Sequence, residues 1–100
     1  MASDQTFVEY VRDQISGDIT YRKMFGEYAV YSDGKVVALV CDNQLFIQPT
    51  AGGRTFAGKI AEAPPYPEAK PHFLIDDKLD DRDWVSTLIR ITVSEFLVFP

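Results

Sequence analysis

Near the start of the chain, Phe7, Val8, Val11 and Ile15 recur at helical spacing with polar residues between them, which places them on one face of an amphipathic helix. Ser3 stands ahead of this pattern as a cap, and Gly17 falls where a helix usually stops, so the spacing predicts a helix over roughly residues 4 to 16. From Ile19 the pattern changes to extended runs rich in Tyr, Phe and Val, punctuated by Gly26, Asp33-Gly34 and Asp42-Asn43. Asp-Gly is a strong hairpin signal, because both central positions of a type I′ turn need positive φ, and Asp-Asn is a weaker one. The expected result is an antiparallel meander over residues 20 to 31, 35 to 41 and 44 to 48, with Gly26 bending or splitting the first run.

The central run, Val36-Val37-Ala38-Leu39-Val40-Cys41, is apolar at consecutive positions. Both faces of such a strand need a cover. One cover is expected to be the chain's own helices, and the other either a second helix layer or another copy of the chain. After Pro49, Thr50 can cap a short helix over residues 51 to 57 that Gly58 closes. Gly52 and Gly53 make that helix marginal, at roughly 1 kcal/mol each relative to Ala. Ala63-Pro64-Pro65-Tyr66-Pro67 has too few backbone donors for a helix or a central strand and reads as a rigid extended loop. A short strand from His72 to Ile75 follows. Asp80 or Asp81 then starts a long C-terminal helix with Trp84, Val85, Leu88, Ile89 and Ile91 turned inward. The apolar tail from Phe96 to Phe99 is expected to dock on the core or meet a partner.

This order predicts an α+β fold: an antiparallel sheet of four to five strands with an N-terminal helix, a short middle helix and a long C-terminal helix. No linker or repeat divides the 100 residues, so one domain over 1–100 is expected, with a radius of gyration of about 13 Å. Hydrophobic content of 46% and charged content of 25% exclude a disordered or fibrous chain. Fifteen acidic against 10 basic residues give a net charge of −5. That balance disfavours direct nucleic-acid contact, since dedicated binders show a basic stripe. Cys41 is the single cysteine, and a lone thiol in an apolar run points to an inert core thiol in a reducing cytoplasm. No basic head with an apolar run opens the chain, and no stretch reaches the ~20 apolar residues of a membrane span. A soluble, cytoplasmic protein is expected.

Candidate chemistry is sparse. Gly53 to Lys59 fits the first seven positions of a phosphate-binding loop, but Ile60 cannot supply the hydroxyl that holds magnesium, so a short helix with glycine ends is the better reading. Asp76, Asp77, Asp80, Asp81 and Asp83 lack the glycine and glutamate spacing of a calcium loop and suit helix capping. His72 is the single histidine, no nucleophile has a partner base in view, and four Cys or His zinc ligands cannot be assembled. No catalytic residue, cofactor or metal is expected.

The run Ile19 to Tyr28 (ITYRKMFGEY), with Tyr31 to Lys35 (YSDGK), Ala38-Leu39-Val40 and Leu45-Phe46-Ile47, resembles the N-terminal domain of the TfoX/Sxy competence-regulator family. Pro49-Thr50, Gly53-Arg54, Ala63 to Pro67 and Ala69-Lys70-Pro71 extend the resemblance collinearly over about residues 5 to 95. Ala29 departs from it where that family often has glycine. The resemblance implies a small α+β domain with an antiparallel sheet in a secretion-chaperone-like arrangement and no catalytic residues. Full-length members look like regulators of DNA-uptake genes that act with a cyclic-AMP-responsive activator and carry a second, helical C-terminal domain. This chain is expected to stop after the first domain, which weakens any transfer of the competence role.

The expected function is therefore a non-enzymatic regulatory or adaptor module acting on a protein partner, such as the transcription machinery or a regulator, and forming a homodimer. Arg22, Met24, Phe25 and Gly26 match the family motif and, with Lys23, Pro65 and Tyr66, are the interaction candidates. The alternative is a small-ligand site between the sheet and the Pro64–Pro67 loop, with Tyr66, Arg22 and His72 as its polar groups. Nucleic-acid binding through Arg22 and Lys23 is the third and weakest reading.

Overall fold

The computed structural model describes residues 3–24 and 26–98, with side-chain surroundings through residue 95. Helix α1 (Gln5–Gln14) leads into strands β1 (Ile19–Met24), β2 (Glu27–Ser32), β3 (Lys35–Cys41) and β4 (Gln44–Ile47). Helix α2 (Ala51–Ala57), strands β5 (Glu62–Ala63) and β6 (His72–Ile75), a 3-10 turn (Asp77–Asp80) and helix α3 (Arg82–Val98) complete the order. All strand pairs are antiparallel, in the spatial order β1-β2-β3-β4-β6-β5. The α+β arrangement matches the expectation from the residue pattern. The sheet has six strands rather than four or five, because the two residues before Pro64 pair with β6 at the sheet's edge. The Cα radius of gyration is 12.3 Å.

The predicted turns form where the residue types demanded them. Asp33 and Gly34 take φ of 54° and 76°, and Asp42 and Asn43 take 53° and 56°. Gly26, at φ 82°, separates β1 from β2. Ser3 does not cap α1. Asp4 occupies the cap position without a side-chain bond, and the Ser3 hydroxyl is drawn instead into contacts with Glu27 and Asn43.

All three helices lie on one face of the sheet. Val8 and Val11 of α1, Ile15 just after it, and Val85, Leu88 and Ile89 of α3 pack with Tyr28, Val30, Ala38, Val40, Leu45, Ile47, Phe73 and Ile75. Full burial of each large apolar side chain here stabilises the fold by about 1.5–3 kcal/mol. Polar groups inside this layer are satisfied locally: Thr92 Oγ1 donates to the Leu88 carbonyl at 2.9 Å, and Ser86 Oγ accepts from Ser16 N–H at 2.8 Å. Asp81 caps α3, its carboxylate accepting from Trp84 N–H at 3.1 Å, and Asp80 accepts from the Tyr10 hydroxyl. Among the described residues no helix is long and apolar enough to cross a membrane. The tail residues Phe99 and Pro100, and the side chains of Phe96, Leu97 and Val98, lie outside the described residues.

The run in β3 is divided between the two faces by a bulge. Val30 pairs with Ala38 but Tyr31 pairs with Val36, so Val37 is the extra residue. It turns into the core with Ala38 and Val40, while Leu39 and Cys41 point to the other face and Val36 is 40% exposed. Within the chain, the second cover is not a helix layer. Ala29, Cys41 and Phe46 on the outer face are buried within the single chain, beneath the loop of residues 64–71, whose Pro65 is also buried. A proline-rich segment suits this task because it presents few backbone donors that burial would leave unpaired.

Thr50 caps α2 by accepting from Gly53 N–H at 2.9 Å. The N–H groups of Arg54 and Gly58 bond within the helix, so the segment resembling a phosphate loop has committed its backbone donors. Arg54 instead pairs with Glu62 of β5 and lies over the Phe73 ring. The two glycines of α2 serve close packing: a Cβ at Gly53 would lie 2.8 Å from Thr50 Oγ1, 3.1 Å from Phe73 and 3.2 Å from Leu88. Gly53→Ala gains up to ~1 kcal/mol of helix propensity but overpacks the α2, α3 and β6 junction, which typically costs about 1–3 kcal/mol. A net loss of roughly 1 kcal/mol is expected, seen as a lower urea midpoint; an unchanged or raised midpoint would mean that α2 shifts freely.

Candidate functional site

The pleat and the register together assemble the outer face. Met24 lies opposite Glu27, Arg22 opposite Ala29, Ala29 opposite Leu39 and Cys41 opposite Gln44. Side chains that alternate outward therefore run across β1, β2 and β3 as a shallow apolar floor. The 64–71 loop forms a wall along it. Between floor and wall lies a groove of about 520 Å³ lined by Met24, Glu27, Tyr28, Leu39, Cys41, Pro65 and Tyr66. Its rims stand open, with Met24 45% and Tyr66 56% exposed.

Glu27 supplies the groove's charge and also holds its floor in place. Its Oε1 accepts from Ser3 Oγ at 2.6 Å and from Asp42 N–H at 3.2 Å, and its Oε2 is 3.3 Å from the same N–H. Ser3 Oγ in turn accepts from Asn43 N–H at 2.9 Å, Asn43 Oδ1 accepts from Asp4 N–H at 2.8 Å, and Ser3 N–H donates to the Gly26 carbonyl at 3.1 Å. This network ties the start of the chain to the β1–β2 and β3–β4 turns. It also satisfies polar groups that would be costly to leave unpaired beside the apolar floor.

Cys41 lies on that floor. Burial, and after it the negative charge of Glu27, pushes its thiol up from an ordinary 9.0 to about 11. The neutral thiol is therefore the form present at physiological pH, in keeping with the inert cysteine expected from its apolar setting.

The interaction candidates divide. Met24, Pro65 and Tyr66 come together as groove residues despite their separation in sequence. Arg22 is exposed on the same face but outside the lining, and Lys23 projects to the opposite face by strand alternation. Gly26 contributes the turn and its carbonyl, while Phe25 lies outside the described residues. A groove does lie between the sheet and the proline-rich loop, but of the three polar groups expected there only Tyr66 lines it. His72 begins β6, separated from β3 by β4, and its Nδ1 sits 2.8 Å from the Lys70 carbonyl. Glu27, Leu39 and Cys41 are groove residues that the sequence pattern does not mark as contact candidates. Their alternation along β2 and β3 was the available signal, obscured by the apolar residues on both faces of β3. No group of three metal-ligating side chains gathers among the described residues.

The raised thiol pKa makes a pH prediction. The folded state holds the Cys41 proton more tightly than the unfolded chain, so this contribution to stability is complete below pH 9 and is lost as pH rises toward 11. Urea unfolding of the wild type should show a steeper fall in stability across that window than Cys41→Ala. Parallel pH profiles for the two proteins would remove the burial argument.

A family model for the TfoX N-terminal domain matches residues 9–96. A protein of Spirochaeta aurantia, described as an uncharacterized 12.7 kDa protein in the trpE 5′ region, is 38% identical over 96 residues. That alignment covers 94% of this chain and 84% of the relative. The matched span takes in the strands, the bulge, the proline-rich loop and every residue lining the groove, and the chain belongs to the TfoX N-terminal domain family.

Proposed function

We propose that this chain is a non-enzymatic regulatory or adaptor module that acts through protein contacts at the groove between the outer sheet face and the 64–71 loop. The observation that carries the reading is the open apolar groove with half-exposed Met24 and Tyr66 on its rims. Family membership supports a regulatory kind of role. The groove's own chemistry favours binding over turnover: Cys41 is a protonated thiol at neutral pH, and Glu27 is engaged by Ser3 and Asp42 rather than aimed at a nucleophile. Residence in a reducing cytoplasm belongs to the same proposal, motivated by the lone buried thiol.

A second copy of the chain is a weaker candidate than a different protein. The two-sided apolar strand that motivates a homodimer has part of its second face sheltered by the chain's own loop. Nucleic acid is weaker still, since Arg22 and Lys23 point to opposite faces and the net charge is −5. The second reading worth carrying is a small apolar ligand, because about 520 Å³ falls within the usual size of ligand pockets.

Met24 is exposed enough for Met24→Glu to leave the fold intact. In affinity capture from the native cytoplasm, specific proteins retained by the wild type should be lost by Met24→Glu, with the thermal midpoint unchanged. Capture that is identical for both would dismiss the groove as the contact. A thermal-shift screen that raises the midpoint with apolar metabolites, alongside no retained protein, would move the assignment to the small-ligand reading. Light scattering is expected to give a monomer at high micromolar concentration, and a dimer that Met24→Glu dissociates would assign the groove to a second copy.

A further inference from the structure

The groove carries one formal charge, and its sign restricts what can dock there. Glu27 is half-buried beside Met24, Leu39 and Tyr66, and among the described residues its hydrogen-bond donors are neutral, the Ser3 hydroxyl and the Asp42 N–H. Its Oε2 makes a single long contact of 3.3 Å, which leaves acceptor capacity on the carboxylate. Among the described residues ion pairs join Arg12 to Asp13 and Arg54 to Glu62, and neither involves Glu27. Resting on the protein-contact reading above, we infer that the groove accepts a segment of a partner protein that places an apolar side chain on the Met24–Leu39 floor and an adjacent arginine or lysine against Glu27.

Three features favour this occupant. A cation entering the groove gains a carboxylate that is partly shielded from water, and Tyr66 lines the same space and adds an aromatic side chain beside it. The net charge of −5 attracts a basic segment during approach and repels an acidic one. The open rims argue for a macromolecule over a free small amine. Enclosed ligand sites bury most of their ligand, whereas here Met24 and Tyr66 remain about half exposed and leave the cover to be supplied by the rest of the partner.

Selection of random short peptides on the full chain, followed by affinity measurement with the enriched peptide, tests the inference. The enriched sequences should pair an apolar residue with a neighbouring Arg or Lys. Glu27→Gln, which keeps an acceptor for Ser3 and Asp42, should weaken the peptide by roughly three- to tenfold. Tyr66→Ala should weaken it too, and added salt should weaken binding to the wild type more than to Glu27→Gln. Wild-type salt dependence alone keeps the test decisive if Glu27→Gln fails to fold: binding indifferent to salt overturns the inference. Peptides that need Tyr66 but carry no basic residue, or that bind Glu27→Gln equally well, overturn the cationic partner and leave the groove as a protein contact. No enrichment overturns both. Phenethylamine displacing the peptide at a concentration near the peptide's own dissociation constant would assign the chemistry to small amines and overturn the protein segment.

Discussion

A strand that is apolar at consecutive positions has to be sheltered on both faces, and in this protein β3 occupies the middle of the sheet with one layer of helices available. The rest of the architecture follows from how the second face is sheltered. The bulge at Val37 sends three of the apolar side chains into the helix-covered core and leaves Leu39 and Cys41 for the other side. The chain then returns after β5 and lays a proline-rich loop over that side. A loop covers less area than a helix, so the shelter is incomplete. The groove is the part of the outer face that the loop leaves open.

Such an arrangement exposes polar backbone at the edges of an apolar floor, and Glu27 answers that difficulty. One carboxylate gathers the Ser3 hydroxyl and the Asp42 N–H, and through Ser3 it reaches Asn43 and the start of α1. These contacts join segments about forty residues apart with few side chains. The same carboxylate leaves negative charge on a surface that is otherwise apolar. A structural role and a charge lining the groove therefore meet in one residue. The conservative Gln substitution separates them, because it keeps an acceptor oxygen and removes the charge.

Close packing sets a second limit on the fold. Gly53 lets α2 approach Phe73 and Leu88 more nearly than any side chain would allow. The helix-breaking tendency of the glycine is offset by the contact it permits and by the Thr50 cap. Arg54, one residue on, ties α2 to β5, at the end of the sheet from which the proline-rich loop departs. The marginal helix thus braces the strand that launches the loop.

Local signals in the residue order were enough for most of the elements, the two-residue edge strand β5 being the exception. The spacing of Val8, Val11 and Ile15 marked the buried face of α1, Asp33-Gly34 and Asp42-Asn43 marked turns that need positive φ, and Gly26 marked the break between β1 and β2. These features depend on neighbours a few residues away, which is why they are legible in one dimension. Ser3 was misread as a cap because its competing partners, Glu27 and Asn43, are distant in sequence. The bulge at Val37, the shelter given by Pro65, and the meeting of Met24, Leu39 and Tyr66 depend on register and on a long return of the chain. The sequence alone determined an α+β domain of this family with Met24, Pro65 and Tyr66 among its contact candidates. Only the tertiary structure decided that these three share a groove with Glu27 while Arg22, Lys23 and His72 stand outside it, because alternation along a strand sends neighbours to opposite faces and packing brings distant residues to one.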